Sequence, residues 1–342
     1  MFIRNCWYVA AWDHEITAGS LLARTLLGKS IVFYRESSGR VVALENRCCH
    51  RFAPLSRGRL EGDHLRCMYH GLLFDSQGKC IEIPGQETIG PQMKVSSYPV
   101  VERDHYVWIW LGDADKADAS KIVNCHWLDD PSWIGKPAYM SFAGNYLLLV
   151  DNLLDFSHLS YVHENTLGGS SVIAATRQKI EQILGGIRIT RYYSSISMPP
   201  FARGIAPFED PVDRWHIYNW YVAGNVLVMD SGWAPAGTGA LEGRRAQEAM
   251  QFTLVQALTP ESENATHYFW LQPRNFKLDD KALTETLATA ATVAFVEDRE
   301  MIEAQQKVIK ANPDNKMITI TVDAALVRVR RMIDKALAVE AA

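Results

Sequence analysis

The chain has little net charge, few cysteines and no long apolar run, and each shortage removes a class of protein. Its formal net charge is −4 over 342 residues, with charged side chains at 22%. No basic excess is there to neutralise phosphates, so nucleic acid is not an expected partner. No apolar stretch approaches the roughly 18 residues that span a bilayer. The opening MFIRNCWYVAAWDHE reaches acidic residues too early for a secretory leader. A cytoplasmic protein with no membrane partner is the expectation. Six cysteines, two of them adjacent, do not suggest a disulfide framework there. A G-x-G-x-x-G turn between strand and helix is missing, and so is plant-type ferredoxin cysteine spacing. Internal repeats and low-complexity tracts are also absent.

What is present is a hydrophobic fraction of 48%, enough for two ordinary cores. The first third reads as β. Ser30–Glu36 and Val41–Asn46 flank an SSGR turn, HGLLFDSQGKCIEI turns at Ser76–Gln77–Gly78, and YPVVERDHYVWIWLGD turns at Arg103–Asp104. This small antiparallel domain ends near Gly112, and polar DADKADASKI suits a linker. The domains are therefore placed at 1–115 and 116–342. Beyond the linker, YLLLVDNLLDFSHLSYVH reads as a helix. Arg188–Tyr193, Trp215–Val222, Val226–Ser231, Met250–Ala257 and His267–Leu271 read as strands, and TPESENAT as a hairpin connection. Ala282–Lys310 and Val322–Ala338 read as helices. Strands bracketed by helices predict an α+β domain with its sheet covered on one face.

Two constellations carry chemistry. Cys48 and His50 precede Cys67 and His70 in the pattern C-x-H … C-x2-H. Zinc sites commonly pair two cysteines in one knuckle. Here each loop offers one cysteine and one histidine, the mixture a Rieske [2Fe–2S] cluster needs, with two cysteines on one iron and two histidines on the other. Gly58 and Gly71 would supply tight turns, and Pro54 would stiffen the first loop. A colourless structural zinc is the alternative. Cys6, Cys80 and Cys125 read as small buried hydrophobes.

The second constellation begins in DNLLDFSHLSYVH. Asp151, Asp155 and His158 would share one helical face. His158 and His163 are five residues apart, roughly 140° around a regular helix, so the helix must end or distort between Ser160 and His163 to let them converge. Two histidines need a carboxylate to make the facial triad of O2-activating iron enzymes. Asp298 lies on a stripe with Leu287, Ala291, Ala294, Met301 and Ile302. An unpaired carboxylate there is costly, so it is either a metal ligand or half of a buried ion pair. Glu297 and Glu300 lie off the stripe and read as solvent-facing.

With NCWYVAAW, CCHRFAPLSRG, CMYHGLLFD, DNLLDFSHLSYVH, the PVDRW at Pro211–Trp215, LTPESE, and RNF through EDREM, the chain resembles the oxygenase components of Rieske non-heme iron oxygenases, nearly end to end. It is most similar to the vanillate O-demethylase, dicamba monooxygenase and toluenesulfonate methyl-monooxygenase group. The resemblance implies an all-β Rieske domain, then a catalytic domain with a helix-grip-type antiparallel sheet and helices. It implies a Rieske [2Fe–2S] cluster on Cys48, His50, Cys67 and His70, and a mononuclear Fe(II) on His158, His163 and Asp298. Asp155 matches the family's bridging aspartate and Asn152 a polar residue near the iron. Cys49 stands where many members have proline, and is taken as a non-ligand. A homotrimer is implied, as is a separate flavin and iron–sulfur reductase using NAD(P)H.

The expected reaction inserts one O2-derived atom into the methyl or O-methyl group of a small acidic aromatic. The resemblance of APAGTGALEGRR and EAMQFTL to the toluenesulfonate group implies methyl hydroxylation ahead of demethylation. Gln256, Met229, Asp230 and Trp220 are candidate pocket residues, with plain sheet packing as the alternative. Arg203, Arg244 and Arg245 sit in expected loops. Asp155 is expected to accept the ring N–H of His158 and to reach a Rieske histidine, His70, of a neighbouring subunit. A ring cis-dihydroxylating dioxygenase and a non-catalytic zinc protein are the rival classes.

Overall fold

The computed structural model describes residues 1–168, 170–244 and 249–341. The chain divides into two compact units. The first comprises Met1–Ile122 with Thr259–Ser262, and the second Val123–Leu258 with Glu263–Ala342.

The first unit is built from short antiparallel strands. Lys29–Arg35 pairs with both Leu22–Leu26 and Val41–Glu45. A second four-stranded sheet runs through Arg59–Glu61, His64–Arg66, Leu73–Phe74 and Cys80–Glu82. A third places Tyr106–Trp110 between Trp7–Trp12 and Val100–Arg103. Its hairpin turns at Asp104 and His105, both at positive φ, one residue later than the sequence indicated. The segment read as a linker folds into two 3-10 turns, Ala114–Lys116 and Ala119–Lys121. The Trp7 indole donates to the Asp118 carbonyl, tying that segment to the first strand.

The second unit holds a seven-stranded sheet in the order Ala138–Phe142, Ala265–Leu271, Met250–Ser262, Val226–Pro235, Val212–Tyr221, Gly186–Ile196, Lys179–Ile183. Its edge strands Ala138–Phe142 and Lys179–Ile183 were not legible in the sequence. Half-polar KIEQI reads equally well as loop. TPES continues the strand to Ser262, so the hairpin connection shrinks to a turn before Ala265. The long helix spans Lys281–Ala311 and the last helix Ala324–Ala341. On the long helix Leu283, Leu287, Ala291, Ala294, Phe295, Asp298, Ile302 and Gln306 are buried. Met301, expected among them, is 56% exposed.

The segment YLLLVDNLLDFSHLSYVH is not one helix. The α-helix spans Tyr146–Leu154, capped by the Asn145 side chain. Asp155 is extended at φ −124, ψ 98, and Phe156–Ser160 forms a 3-10 turn. The break therefore comes earlier than expected, before His158 rather than after Ser160. Asp151 remains on the helix and pairs with Arg330 of the last helix, at 2.9 and 2.6 Å. It shares no face with Asp155 or His158. Among the described residues no helix is long and apolar enough to cross a membrane.

Candidate active site

In the first unit, Cys48 and Cys67 sit at equivalent points of two matching loops. Cys48 donates its N–H to Ala53 and accepts from Phe52. Cys67 donates to Leu72 and accepts from Gly71. The fifth residue of each loop has positive φ, Phe52 at 58° and Gly71 at 76°. Glycine meets that need without strain. Phe52 does not, and Arg47 stacks over its ring. Gly58 has another role than the expected turn. It is extended, and a Cβ there would lie 2.3 Å from the Arg66 carbonyl oxygen. Both thiols are buried in an apolar cluster with Leu55, Leu65, Leu72 and Phe74. Burial pushes the Cys48 thiol up to about 12, and the neighbouring Cys67 adds to the effect. A sulfur placed as Cys48 is becomes a thiolate only with a cation to hold. His50 and His70 are exposed above them, ring centroids 4.5 Å apart. Two buried thiols beneath two adjacent imidazoles fit an asymmetrically ligated two-iron cluster. Cys49 is partly buried against the same cluster of side chains, as is typical of a packing residue.

In the second unit, His158, His163 and Asp298 each offer a ligand atom, all within 4.8 Å of one another. The Nε2 atoms of His158 and His163 lie 3.6 and 3.2 Å from the Asp298 Oδ1. Each Nδ1 is committed elsewhere. His158 Nδ1 meets the Asp155 carbonyl oxygen at 2.5 Å, and His163 Nδ1 meets Glu297 Oε2 at 2.7 Å. Those acceptors fix the proton on Nδ1 and turn the Nε2 lone pairs inward. Two lone pairs facing a carboxylate call for a cation, so the residues fit a mononuclear iron. Burial lowers the His158 pKa. For His163 burial also acts downward, but the Asp298 and Glu297 carboxylates outweigh it and raise the pKa. The Asn152 amide donates to Asp298 Oδ1 at 2.9 Å and holds that carboxylate.

Three expectations are corrected here. The Asp155 carboxylate does not accept from His158. The main-chain carbonyl does, because the extended backbone at Asp155 turns it toward the ring. The carboxylate instead takes Ser157 N–H and Oγ–H, and Arg191 at 3.4 Å. Glu297, read as solvent-facing, carries a hydrogen bond from His163 and another from Thr166.

The third correction concerns the pocket. A cavity of about 70 Å³, measured as space for the centres of water-sized molecules, opens on the His158–His163–Asp298 group. A single water needs roughly 10–15 Å³ by that measure, so the space suits one small ring. Gln256 and Met229 line it; Asp230 and Trp220 do not. Met229, Ser231 and Trp233 alternate into the cavity, and the pleat turns Asp230 to the other face, where it accepts from Trp215 and Gln251. Trp220 lies four residues past His216, roughly 13 Å along the strand. Arg203 and Arg244 are 59% and 76% exposed side chains beside Asp210 and Glu242. Arg245 lies outside the described residues. The sequence reading missed Arg214 and His216, both cavity-lining. The alternation of buried polar residues along VDRWHIYNW was the signal for them. A larger depression in the first unit, between Val42, Tyr98 and Val101, contains no metal-ligating cluster among the described residues.

Comparisons with known proteins place the chain in a family. Residues 6–99 match the Rieske [2Fe-2S] domain, and residues 142–339 the vanillate O-demethylase oxygenase C-terminal domain. The iron–sulfur subunit of the toluene-4-sulfonate monooxygenase system of Comamonas testosteroni is 52% identical, over 99% of this chain and 98% of its own. A vanillate O-demethylase oxygenase subunit from Pseudomonas sp. (strain HR199 / DSM 7063) is 38% identical, over 99% of this chain and 96% of its own. The solved structure of dicamba monooxygenase bound to 3,6-dichlorosalicylic acid superposes with a TM-score of 0.91 at 34% identity, covering 100% of this chain and 99% of that one. Its form with non-heme iron and dicamba gives 0.80 at 33%, covering 99% and 98%. Two buried thiols under two histidines, a two-histidine carboxylate cluster on a small cavity, and end-to-end likeness to such enzymes make this chain a member of the Rieske non-heme iron oxygenases, the oxygenase component of a monooxygenase with a [2Fe–2S] cluster and a mononuclear iron.

Proposed function

We propose that the chain inserts one oxygen atom from O2 into the methyl or O-methyl carbon of a small acidic aromatic, with methyl hydroxylation as the favoured case. The observation that carries this reading is the His158, His163 and Asp298 cluster opening on a cavity with room for one ring. The relative at 52% identity is named for toluene-4-sulfonate, which supports a methyl over a methoxy group.

In this reading Cys48 and Cys67 hold one iron of the cluster, and His50 and His70 the other. His158, His163 and Asp298 hold the mononuclear iron, which when bound supplies O2 activation with electrons relayed from the cluster. The balance is R–CH3 plus O2, two electrons and two protons, giving R–CH2OH and water. On a methyl ether the same insertion yields a hemiacetal, which releases formaldehyde. The chain's own residues orient and enclose. The Asp155 carbonyl and Glu297 fix the imidazole tautomers, Asn152 holds Asp298, and Phe156, Leu254 and Phe295 present apolar walls to the ring. Electrons come from a separate flavin and iron–sulfur reductase using NAD(P)H. The oxygenase works as a homotrimer, 1–115 and 116–342 being its two domains. Six free cysteines suit the reducing cytoplasm.

O2 uptake and product analysis with methylbenzenesulfonates and methoxybenzoates, using a generic reductase, test the reading. A benzylic alcohol or formaldehyde is expected. A ring cis-diol, or no substrate-dependent O2 uptake, would overturn it.

A further inference from the structure

Among the described residues Arg214 is a buried cation with no counter-charge. It is 4% exposed and lines the cavity beside the two histidines. Its Nη atoms reach only the Leu167 carbonyl oxygen, at a long 3.4 Å, and its Nε has no partner. Among the described residues no carboxylate lies within 4.0 Å of it. The two other deeply buried arginines differ. Arg274 donates to the carbonyls of Phe276, Lys277 and Asp280 and to Thr284. Arg191 meets Asp155 and Gln178. An uncompensated buried charge is strongly destabilising, as is a buried ion pair that has lost one partner. Burial lowers the Arg214 pKa to about 10, which still leaves the group charged at neutral pH.

A second orphan donor stands beside it. Arg214 pairs in register with Trp233, whose ring lies 5.3 Å beneath the guanidinium. The buried Trp233 Nε1 also lacks a partner. Two unsatisfied donors, one of them cationic, need an acceptor that carries negative charge. The orphan acceptor of the cavity, Gln256 Oε1, is placed elsewhere. Gln256 pairs with Leu227, six residues from Trp233 along the shared strand, roughly 20 Å at the usual rise. Of the orphan atoms that line the cavity, the donors therefore gather at one end of the strand, while the orphan Trp220 Nε1 at the other end lies outside the cavity. Asp213, adjacent in the chain, is engaged by the N–H groups of Ser195 and Gly237. His216, two residues on and also lining the cavity, is held neutral by burial and by the two arginines, so it adds no competing charge.

We propose that Arg214, with the Trp233 indole N–H, is the anchor for the anionic oxyacid substituent of the substrate, sulfonate or carboxylate, and so sets which aromatic enters. This rests on the reading of the cavity as the substrate site and names the group that site selects. The anion neutralises Arg214 and fixes one end of the ring, so that the substituent to be oxidised is presented to His158, His163 and Asp298.

Binding is measured by calorimetry on the fully loaded enzyme under anaerobic conditions, without turnover. The probes are 4-methylbenzenesulfonate, 4-methylbenzoate and the neutral isostere 4-methylbenzenesulfonamide. Wild type should bind one of the anions at least about 100-fold more tightly than the sulfonamide, the range expected for a charge-assisted contact to a buried group. The tighter anion identifies the source. Arg214→Met should lose that preference and keep its sulfonamide affinity. Trp233→Phe should lose a smaller part of it. Without ligand, Arg214→Met should melt at or above the wild-type temperature, since an apolar side chain replaces an unpaired charge. A merely structural arginine would give the opposite shift. Equal binding of anion and sulfonamide by wild type would overturn the proposal even if no variant folds. So would an Arg214→Met protein that weakens all three probes equally. Failure of the proposed reaction would show instead in the products, with binding intact.

Discussion

Glu297 shows how a residue adjacent to a ligand escapes a helical wheel. Asp298 was legible because an apolar stripe marks the buried face, and a carboxylate on that face needs a reason. Glu297 is one step, about 100°, around the helix, and its side chain is 31% exposed, so periodicity assigns it to solvent. Only the fold brings His163 over it. Its bond to Nδ1 fixes the tautomer that the metal needs, and such outer partners typically carry about 10–100-fold of metal affinity. Glu297→Gln should therefore weaken iron binding by about that factor, read by equilibrium dialysis, with the red-brown absorbance unchanged. Full iron affinity in the variant would remove Glu297 from the site. Arg214 escaped for the opposite reason. Arginines in loops stand out in a sequence, whereas this one is buried in a strand, where arginine usually faces outward.

The central strands of the large sheet and the long helices were legible because alternation and 3.6-residue periodicity survive in a single sequence. The break at Asp155 was not, because apolar residues keep a helix-like spacing through Phe156 and Leu159 while the backbone changes to extended and then 3-10. The missed signal is Asp155-Phe156-Ser157, an aspartate whose side chain caps the residues after it. The cap matters to the element. Asp155→Ala removes bonds from Ser157 N and Oγ, costing about 1 kcal/mol for the cap, and it also leaves Arg191 without its carboxylate. Thermal melts should show Asp155→Ala less stable than Asp155→Asn, which keeps an acceptor oxygen for Ser157. Equal melting temperatures would mean the cap contributes nothing.

The two metal sites lie in different compact units and share no ligand, so each should load without the other. Cys67→Ala should lose visible absorbance and acid-labile sulfide while still binding iron at the second site. His163→Ala should do the reverse. Loss of both metals in either variant would mean that one site folds the other. Independent loading still leaves electrons to pass between two separate sites, and the proposed trimer would supply the route if the cluster of one subunit faced the mononuclear iron of the next. Under that proposal Asp155 would serve it. Its backbone carbonyl already holds His158, and its carboxylate, engaged by Ser157 and Arg191, keeps 18% side-chain exposure, leaving one side open to a ring N–H from a neighbouring cluster. Since the carbonyl and not the carboxylate orients His158, Asp155→Asn should leave the iron bound. It should also leave the cluster reducible and the trimer intact by light scattering, and still slow cluster reoxidation with substrate and O2 by orders of magnitude. A variant that reoxidises at the wild-type rate would exclude the carboxylate from the electron path, and an enzyme fully active as a dilute monomer would exclude the path between subunits.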